Sequence, residues 1–282
     1  MGGKVVLLTG GTSGIGKAGA VALAAMGATV VVTGRSAERG AAAVAEIKAQ
    51  SGNETVELML ADLSAQSEVR RLAAEFLERY ERLDVLVNNA GLVSSKRTET
   101  PDGLETTFAI NHLAPFLLTN LLLDRMQESG AGRIVTTSSE AQRWGRIDFD
   151  DLQSKRKYGG MSVYGMTKLA NVMFTRELAA RLEGTGVTAN CFHPGAVNTN
   201  FGQNNNGPMT LLFRVFKPFM RSSEQGADTL IWLASVPEVE GVSGKYFSDR
   251  KETSAPKIAY DLIALRKLWE ISADLTGLKV TA

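Results

Sequence analysis

Apolar residues along this chain follow two rhythms. Short runs dense in Val, Ile, Leu and Thr recur at Val5–Thr9, Thr29–Thr33, Thr55–Leu60, Val85–Asn88, Arg133–Thr137 and Val187–Phe192, with a weaker one at Gly244–Phe247. Runs of this length and β-branched content read as strands. Between them lie longer segments rich in Ala, Leu, Glu, Arg and Lys whose apolar positions repeat at helical spacing: 14–26, 37–50, 65–81, 103–128, 161–183 and 224–235. Strand–helix alternation of this kind predicts βαβ units with right-handed crossovers, and hence a parallel sheet with helices on both faces. No internal repeat appears, and no linker is long enough to divide the chain. The expectation is an α/β fold over 1–282, a single doubly wound domain with a parallel sheet of about seven strands. Two segments break the rhythm, 140–160 and 198–222. Long loops in a compact domain are usually functional. The C-terminal segment from about 249 carries no firm assignment.

The first strand runs into "TGGTSGIGKAGA". Gly10, Gly14 and Gly16 are spaced G-x-x-x-G-x-G between a strand and a helix. Such a turn aims free helical N–H groups and the positive end of the helix dipole at an anion. Glycines let the backbone approach a pyrophosphate closely. A tight turn without a ligand would carry the same glycines, but the strand–turn–helix setting is the one dinucleotide binding requires. The expected contacts are Gly10, Thr12, Ser13, Gly14, Ile15 and Gly16.

The second strand ends in "TGRS". NAD sites usually carry an acid near this point for the ribose 2′-hydroxyl. Here Gly34 is followed by Arg35 and Ser36. No carboxylate repels a 2′-phosphate, and Arg35 can fork onto one. NADP(H) is therefore expected over NAD(H), although Arg35 could be a solvated loop charge. After the third strand, Asp62 can accept from an adenine amino group while the Leu63 backbone lies on the ring. Asp62 could also cap the helix that follows.

In "SVYGMTKLAN", Tyr164 and Lys168 stand four apart on a helix, so their heads can meet on one face. A nearby cation lowers a phenol's pKa from its usual value of about 10. That suits a general acid or base. On this stretch alone the two could equally be a surface pair.

The totals narrow the picture. The chain has 282 residues, 31 basic and 30 acidic, so no strong field for nucleic acid or anionic membrane is implied. Its one cysteine, Cys191, excludes an intrachain disulfide and reads as a small core residue. The apolar run Val5–Leu8 is too short for a signal-peptide core or a membrane span. A soluble, cytoplasmic protein is expected, with peripheral membrane contact left open. No metal-ligand spacing appears, so no metal is expected.

Together these residues resemble the short-chain dehydrogenase/reductase family, from Lys4 to about Gly277. The resemblance rests on Thr9, Gly10, Gly14 and Gly16; on Asn88, Asn89, Ala90 and Gly91; on Asn111 in "FAINHLAPF"; on Ser139; on Tyr164 and Lys168; and on Pro194 and Gly195. "INHLAPFLLTNLLLD", "TKLANVMFTRELAARLEGTGVTAN", "EVEGVSGKYFSDRKE" and "IDFDDLQSKRKY" look like the retinol dehydrogenase-like branch. Enzymes of that branch commonly carry an N-terminal hydrophobic anchor, whereas this sequence opens at its first strand.

The resemblance implies an oxidoreductase that moves a hydride between the nicotinamide and a carbonyl or alcohol. It makes Tyr164 the acid/base and Lys168 the group that lowers the Tyr164 pKa and holds the nicotinamide ribose. Ser139, rather than its neighbour Ser138, would bind the substrate oxygen, and Asn111 would hold a water in a proton relay. Asn88, Asn89, Ala90 and Gly91 should border the cofactor. Pro194, Gly195, Val197 and Thr199 should approach its nicotinamide end. His112 reads as a packing or hydrogen-bonding residue and His193 as a loop-shaping one. Helices 103–128 and 161–183 would form a homo-oligomer interface.

Within 198–222, Met209, Leu211, Leu212, Phe213, Val215, Phe216, Phe219 and Met220 gather with Arg214, Lys217 and Arg221. The cluster reads as a lid over an apolar substrate, a basic amphipathic surface for membrane, or a helix packed on the core. The lid reading favours lipophilic aldehydes, ketones or alcohols such as retinoids or steroids. A second function class remains open, a cofactor-binding regulatory or scaffold protein with little turnover. The cofactor expectation has a direct test. Arg35→Asp should raise the KM for NADPH far more than that for NADH in steady-state assays, and an unchanged ratio would remove Arg35 from cofactor selection.

Overall fold

The computed structural model describes residues 1–197 and 220–279. In chain order the strands are β1 (Val5–Leu8), β2 (Thr29–Gly34), β3 (Val56–Leu60), β4 (Val85–Asn88), β5 (Arg133–Thr137), β6 (Thr188–His193), β7 (Tyr246–Ser248) and β8 (Lys251–Glu252). The helices are α1 (Gly14–Ala25), α2 (Ala37–Ser51), α3 (Gln66–Arg79), α4 (Thr106–Glu128), α5 (Gly160–Arg181), α6 (Ser223–Ser235) and α7 (Leu262–Thr276). The sheet order is β3-β2-β1-β4-β5-β6-β7-β8. All neighbours pair in parallel except β7 with β8. The expected parallel sheet of about seven strands is thus present, with a short antiparallel eighth strand at its edge. Strand order reverses between β1 and β4, which opens a crevice at the carboxyl ends of the strands.

Period-two alternation sends neighbouring strand residues to opposite faces. Leu7, Val31, Leu86 and Ile134 join a core with Leu72 and Phe76 of α3, Phe116 and Leu117 of α4 and Phe174 of α5. Their neighbours Val6, Leu8, Val30, Val32, Val87 and Val135 join a second core with Leu23 of α1, Ile47 of α2 and Leu230 of α6. A third cluster seats α7, through Leu265 and Leu268, against Val163, Leu169 and Met173 of α5. Helix α5 is therefore enclosed, as expected for a helix apolar on most sides. Among the described residues, α4 alone is long and apolar enough to cross a membrane, and it is mostly buried within the fold.

Local chemistry sets the helix ends. Helix α4 starts at Thr106 rather than 103, because Glu105 accepts from the N–H groups of Thr107 (2.9 Å) and Phe108 (2.6 Å). Ahead of that cap, Gly103 turns the chain at φ +71°. Helix α7, which the sequence pattern did not predict, is capped by Asp261 accepting from Ile263 N at 2.9 Å. It ends at Gly277 in the left-handed region.

The amino ends of β1 and β4 are joined by one buried carboxylate. Asp84 accepts from Val5 N at 2.8 Å, from Arg82 through both oxygens, and pairs with Lys4 at 3.0 Å. Removing it leaves a strand N–H unpaired in the core. Asp84→Ala should cost about 1–3 kcal/mol in a urea titration, since an unsatisfied buried donor costs that much and both cations are half in solvent. A loss below about 0.5 kcal/mol would show that water takes over the Val5 N–H.

Candidate active site

The first wall of the crevice is the glycine turn. Gly10 lies at φ +68°. A methyl on Gly16 would sit 2.3 Å from Gly10 O, so only glycine lets α1 start this close to β1. Thr9 and Asn89 brace the turn. Asn89 N and Ala90 N donate to Thr9 Oγ1 at 3.0 and 3.1 Å, and Asn89 Nδ2 donates to the carbonyls of Thr9 and Gly10 at 3.2 and 3.3 Å. Asn88 faces away instead, donating to Thr119 of α4 at 2.9 Å. It is a structural residue rather than one bordering the crevice.

The amino end of α1 has the chemistry of an anion site. Ser13 is its N-cap but makes no side-chain cap bond, and no acid stands in the first turn. Helices α2, α6 and α7 carry side-chain caps from Ser36, Ser222 and Asp261, whereas α1, like α3 behind Ala65 and α5 behind Gly159, has none. The first N–H groups of α1 are thus left for a pyrophosphate, and these residues fit a dinucleotide. Thr12 packs where a Cβ on Gly34 would be, 2.8 Å from its Cγ2. Ile15 turns towards the core beside Gly226.

On the nucleotide side, Arg35 is exposed at the carboxyl end of β2, and Ser36 accepts from Arg39 N at 3.3 Å. Asp62 is exposed. It accepts from Ser64 N at 3.0 Å, forming a turn, and so does not cap α3, whose Gln66 N donates to Asp102 at 2.8 Å. Leu63 is part-buried against the α3 core.

At the carboxyl ends of β4 and β5 the residues expected to react, Tyr164, Lys168, Ser139 and Asn111, come together. Lys168 Nζ is buried, donates to Thr137 O at 3.0 Å and lies 5.6 Å from the centroid of the Tyr164 ring. Ser139 stands beside the Tyr164 phenol and acts to lower its pKa. The Ser139 hydroxyl accepts from Ala141 N at 3.2 Å. Ser138 points the other way, into the fold, donating to Lys168 O at 2.8 Å. Strand alternation has separated the two serines. Gly91 passes between Asn111 and Lys168: a methyl there would lie 3.2 Å from Asn111 Oδ1 and 3.5 Å from Lys168 Nζ. Asn111 sits in a π turn of α4, Ala109–Leu113. Its side chain is engaged by the Leu92 N–H (2.8 Å), Leu92 O (2.9 Å) and Thr167 Oγ1 (3.1 Å).

The electrostatics differ from the sequence expectation. Burial pushes the Tyr164 phenol up to about 12, with Ser139 pulling it down. Desolvation lowers the Lys168 ammonium to about 8. The ammonium is 5.6 Å from the ring centroid, and burial is the largest influence on the phenol.

The nicotinamide side is built from the end of β6. His193 Nδ1 accepts from Glu140 N at 3.1 Å and Gly195 N at 3.3 Å, tying the Ser139 turn to the Pro194–Gly195 turn. Gly195 is at φ +85°, and a Cβ there would lie 2.7 Å from Arg221 Cδ. Arg221 closes this wall through a two-bond pair with Asp249, at 2.5 and 3.0 Å. Val197 bridges to Arg221 and rests on Gly226. Thr199 and the apolar cluster 209–219 lie outside the described residues. Sequence reasoning did not single out Asp249, Asn171 or Trp144. The last is exposed and would meet a Cβ on Gly165, beside Tyr164, at 3.0 Å from its Nε1. Trp144 had a signal, an aromatic in the irregular segment 140–160; Asp249 and Asn171 had none apart from the fold.

A profile for short chain dehydrogenase matches residues 4–209. The chain belongs to the short-chain dehydrogenase/reductase family. It is 43% identical over 277 residues to retinol dehydrogenase 12 of Mus musculus, covering 98% of this chain and 87% of that protein. It is 44% identical over 294 residues to human retinol dehydrogenase 14, covering 99% and 88%. The solved short chain dehydrogenase of Burkholderia cenocepacia in complex with NADP superposes with a TM-score of 0.68 at 30% identity, over 87% of this chain and 96% of that one. The oxidoreductase family and the resemblance to retinol dehydrogenases are therefore shown.

Behind the residues expected to react lies His112, fully buried beside Phe108, Phe116 and Phe174. Desolvation lowers its pKa to about 4, against a partial opposing effect of Asn171. The folded protein keeps it neutral, while the unfolded chain binds a proton below about 6.5. Stability is then present above 6.5 and lost as pH falls towards 4, by roughly 3 kcal/mol in all. Replacing His112 by Asn should flatten thermal-melt stability against pH over that interval. An unchanged slope would place the acid sensitivity elsewhere.

Proposed function

We propose that the chain is an NADP(H)-dependent oxidoreductase that interconverts a carbonyl and an alcohol, acting on a lipophilic substrate. The observation that carries this reading is the convergence of Tyr164, Ser139 and Lys168 at the mouth of the crevice, next to an uncapped helix end suited to a pyrophosphate. The nicotinamide, when bound, supplies or accepts the hydride. Tyr164 donates its proton to the carbonyl oxygen in reduction and takes the alcohol proton in oxidation. A phenol pushed up to about 12 holds its proton at neutral pH, which suits the donor role. Ser139 binds the same oxygen and fixes its approach. Lys168, charged below about 8, holds the ribose side and offsets negative charge as the phenol gives up its proton. Asn111 positions the Leu92 backbone and the π turn. Its expected relay water would have to share a side chain already bonded to Leu92 and Thr167.

Three features support the cofactor and substrate readings. Gly34 and the exposed Arg35 leave room and positive charge for a 2′-phosphate. The Burkholderia relative is described as an NADP complex. The exposed Trp144 beside the Tyr164 turn gives the substrate side an apolar surface, in keeping with relatives named retinol dehydrogenases.

The test is NADPH-dependent reduction of retinal and a panel of bulky aldehydes and ketones, followed by NADPH absorbance. Tyr164→Phe should lower kcat by roughly 10²–10⁴, the size of a general-acid contribution, with NADPH affinity by calorimetry unchanged. Turnover that survives Tyr164→Phe would overturn the assignment of the acid.

A further inference from the structure

We propose that Asn171 and His112 are positioning residues for the reaction, a buried hydrogen-bonded pair that sets where the Lys168 ammonium sits. The inference rests on reading Tyr164 and Lys168 as the reacting pair.

Asn171 lies on α5 one turn after Lys168, facing the π turn of α4. Its amide nitrogen donates to Thr137 O at 3.2 Å and to Asn111 O at 2.9 Å. Thr137 O is also the acceptor of the Lys168 ammonium, at 3.0 Å. One carbonyl at the end of β5 thus holds both side chains. The second carbonyl belongs to the residue whose side chain flanks Gly91 and Lys168. Asn171 therefore ties together the two backbone points that locate the ammonium.

His112 fixes which way the Asn171 amide faces. Asn171 Oδ1 lies 3.3 Å from His112 Nδ1, and His112 Nε2 lies 2.9 Å from Ser272 Oγ on α7. Oδ1 can only accept. A hydrogen on Nδ1 is therefore required, since the other neutral tautomer would set two lone pairs against each other. Nε2 then takes the single hydrogen of the Ser272 hydroxyl, which would otherwise go to Leu268 O at 2.7 Å, one turn back along α7. Flipping the Asn171 amide would aim its oxygen at two carbonyls. The two carbonyls fix the Asn171 amide and the amide fixes the tautomer, which is assigned in this way rather than observed.

Burial makes that arrangement binding on the site. His112, Asn171, Ser272 and Lys168 are each at most 3% exposed. Water cannot easily replace a lost partner there, so a broken link must be relieved by movement of the groups themselves. The groups bonded to Asn171 are Thr137 O, which holds the Lys168 ammonium, and Asn111 O in the π turn, so movement of Asn171 reaches Lys168 through Thr137 O. Misplacement by about 1 Å in a reacting site can cost on the order of 10²-fold in rate.

The test compares His112→Leu with His112→Asn. The two replacements are close in size and both give up the ring stacking on Phe108, but Asn can keep an N–H near the Nδ1 position. With the panel carbonyl that the wild type reduces fastest, His112→Leu should lower kcat about tenfold or more. KM for the carbonyl, which Lys168 does not touch, should stay within about threefold, the signature of a lost reaction-step interaction. His112→Asn should recover kcat to within about threefold of the wild type. Asn171→Leu should behave like His112→Leu. Assays run well below each variant's melting temperature, so a loss of stability alone would not mimic this split. Wild-type kcat in folded His112→Leu, or equal losses in His112→Leu and His112→Asn, would overturn the proposal. Turnover surviving in Tyr164→Phe would instead overturn the reading of the reacting pair, so the two failures are separable. Should Asn171→Leu fail to fold, the His112 comparison still decides.

Discussion

An ammonium ion taken out of water has to be held by something, and in this protein that is the carbonyl of Thr137 and the face of the Tyr164 ring. Burial of Lys168 weakens its hold on its proton. The fold must therefore bring the end of β5, the middle of α5 and the π turn of α4 to one point. Helix α5 is buried on two sides, through Phe174 in one core and through Leu169 and Met173 in another, so the helix that carries the charge is held on both flanks. The buried polar residues of the same helix, Thr167, Lys168, Asn171 and Thr175, are each bonded to backbone or side chain. A partly satisfied set in so dry a place would destabilise the site more than an apolar one.

The other half of the crevice obeys an opposite rule, since there the backbone is left unsatisfied on purpose. Helix α1 starts without a side-chain cap, whereas Ser36, Ser222 and Asp261 close their own helices. Thr9 and Asn89 spend their hydrogen bonds on the shape of the turn. The glycine turn keeps free N–H groups at its helix end, and the Lys168 side of the crevice is closed by hydrogen bonds. Both lie where the strand order reverses, because only there do loops from the two halves of the sheet diverge and leave room for a ligand.

Much of this was legible in the residues. Alternating strand and helix patterns marked every parallel strand to within a residue or two, because strands buried on both faces are short and apolar throughout. The glycine spacing and the Tyr164–Lys168 pair were legible for a similar reason: each is a short-range constraint, imposed by sterics or by one helical turn. That Ser138 and Ser139 part ways was also readable, since adjacent residues of an extended chain take opposite faces, while the choice of Ser139 came from the family resemblance. Helix α7 was not, as its pattern competes with the short turns around it and its apolar face has meaning only against α5. The reversal in the Tyr164 phenol was not either. Proximity in sequence says that a cation is near, but not that burial is the largest influence on the phenol.

The sequence by itself determined the alternation that builds a parallel α/β sheet, the glycine turn between β1 and α1, and the four-residue spacing that puts Tyr164 and Lys168 on one helix face. Those follow from local rules of backbone freedom and periodicity. Tertiary structure alone decided that Asn88 serves α4, that Asp62 makes a turn instead of a cap, that Arg221 reaches Asp249, and that Asn171 shares one carbonyl with Lys168. Each joins residues far apart in the chain or depends on which carbonyl or amide lies within about 3 Å, and no local pattern encodes such a distance.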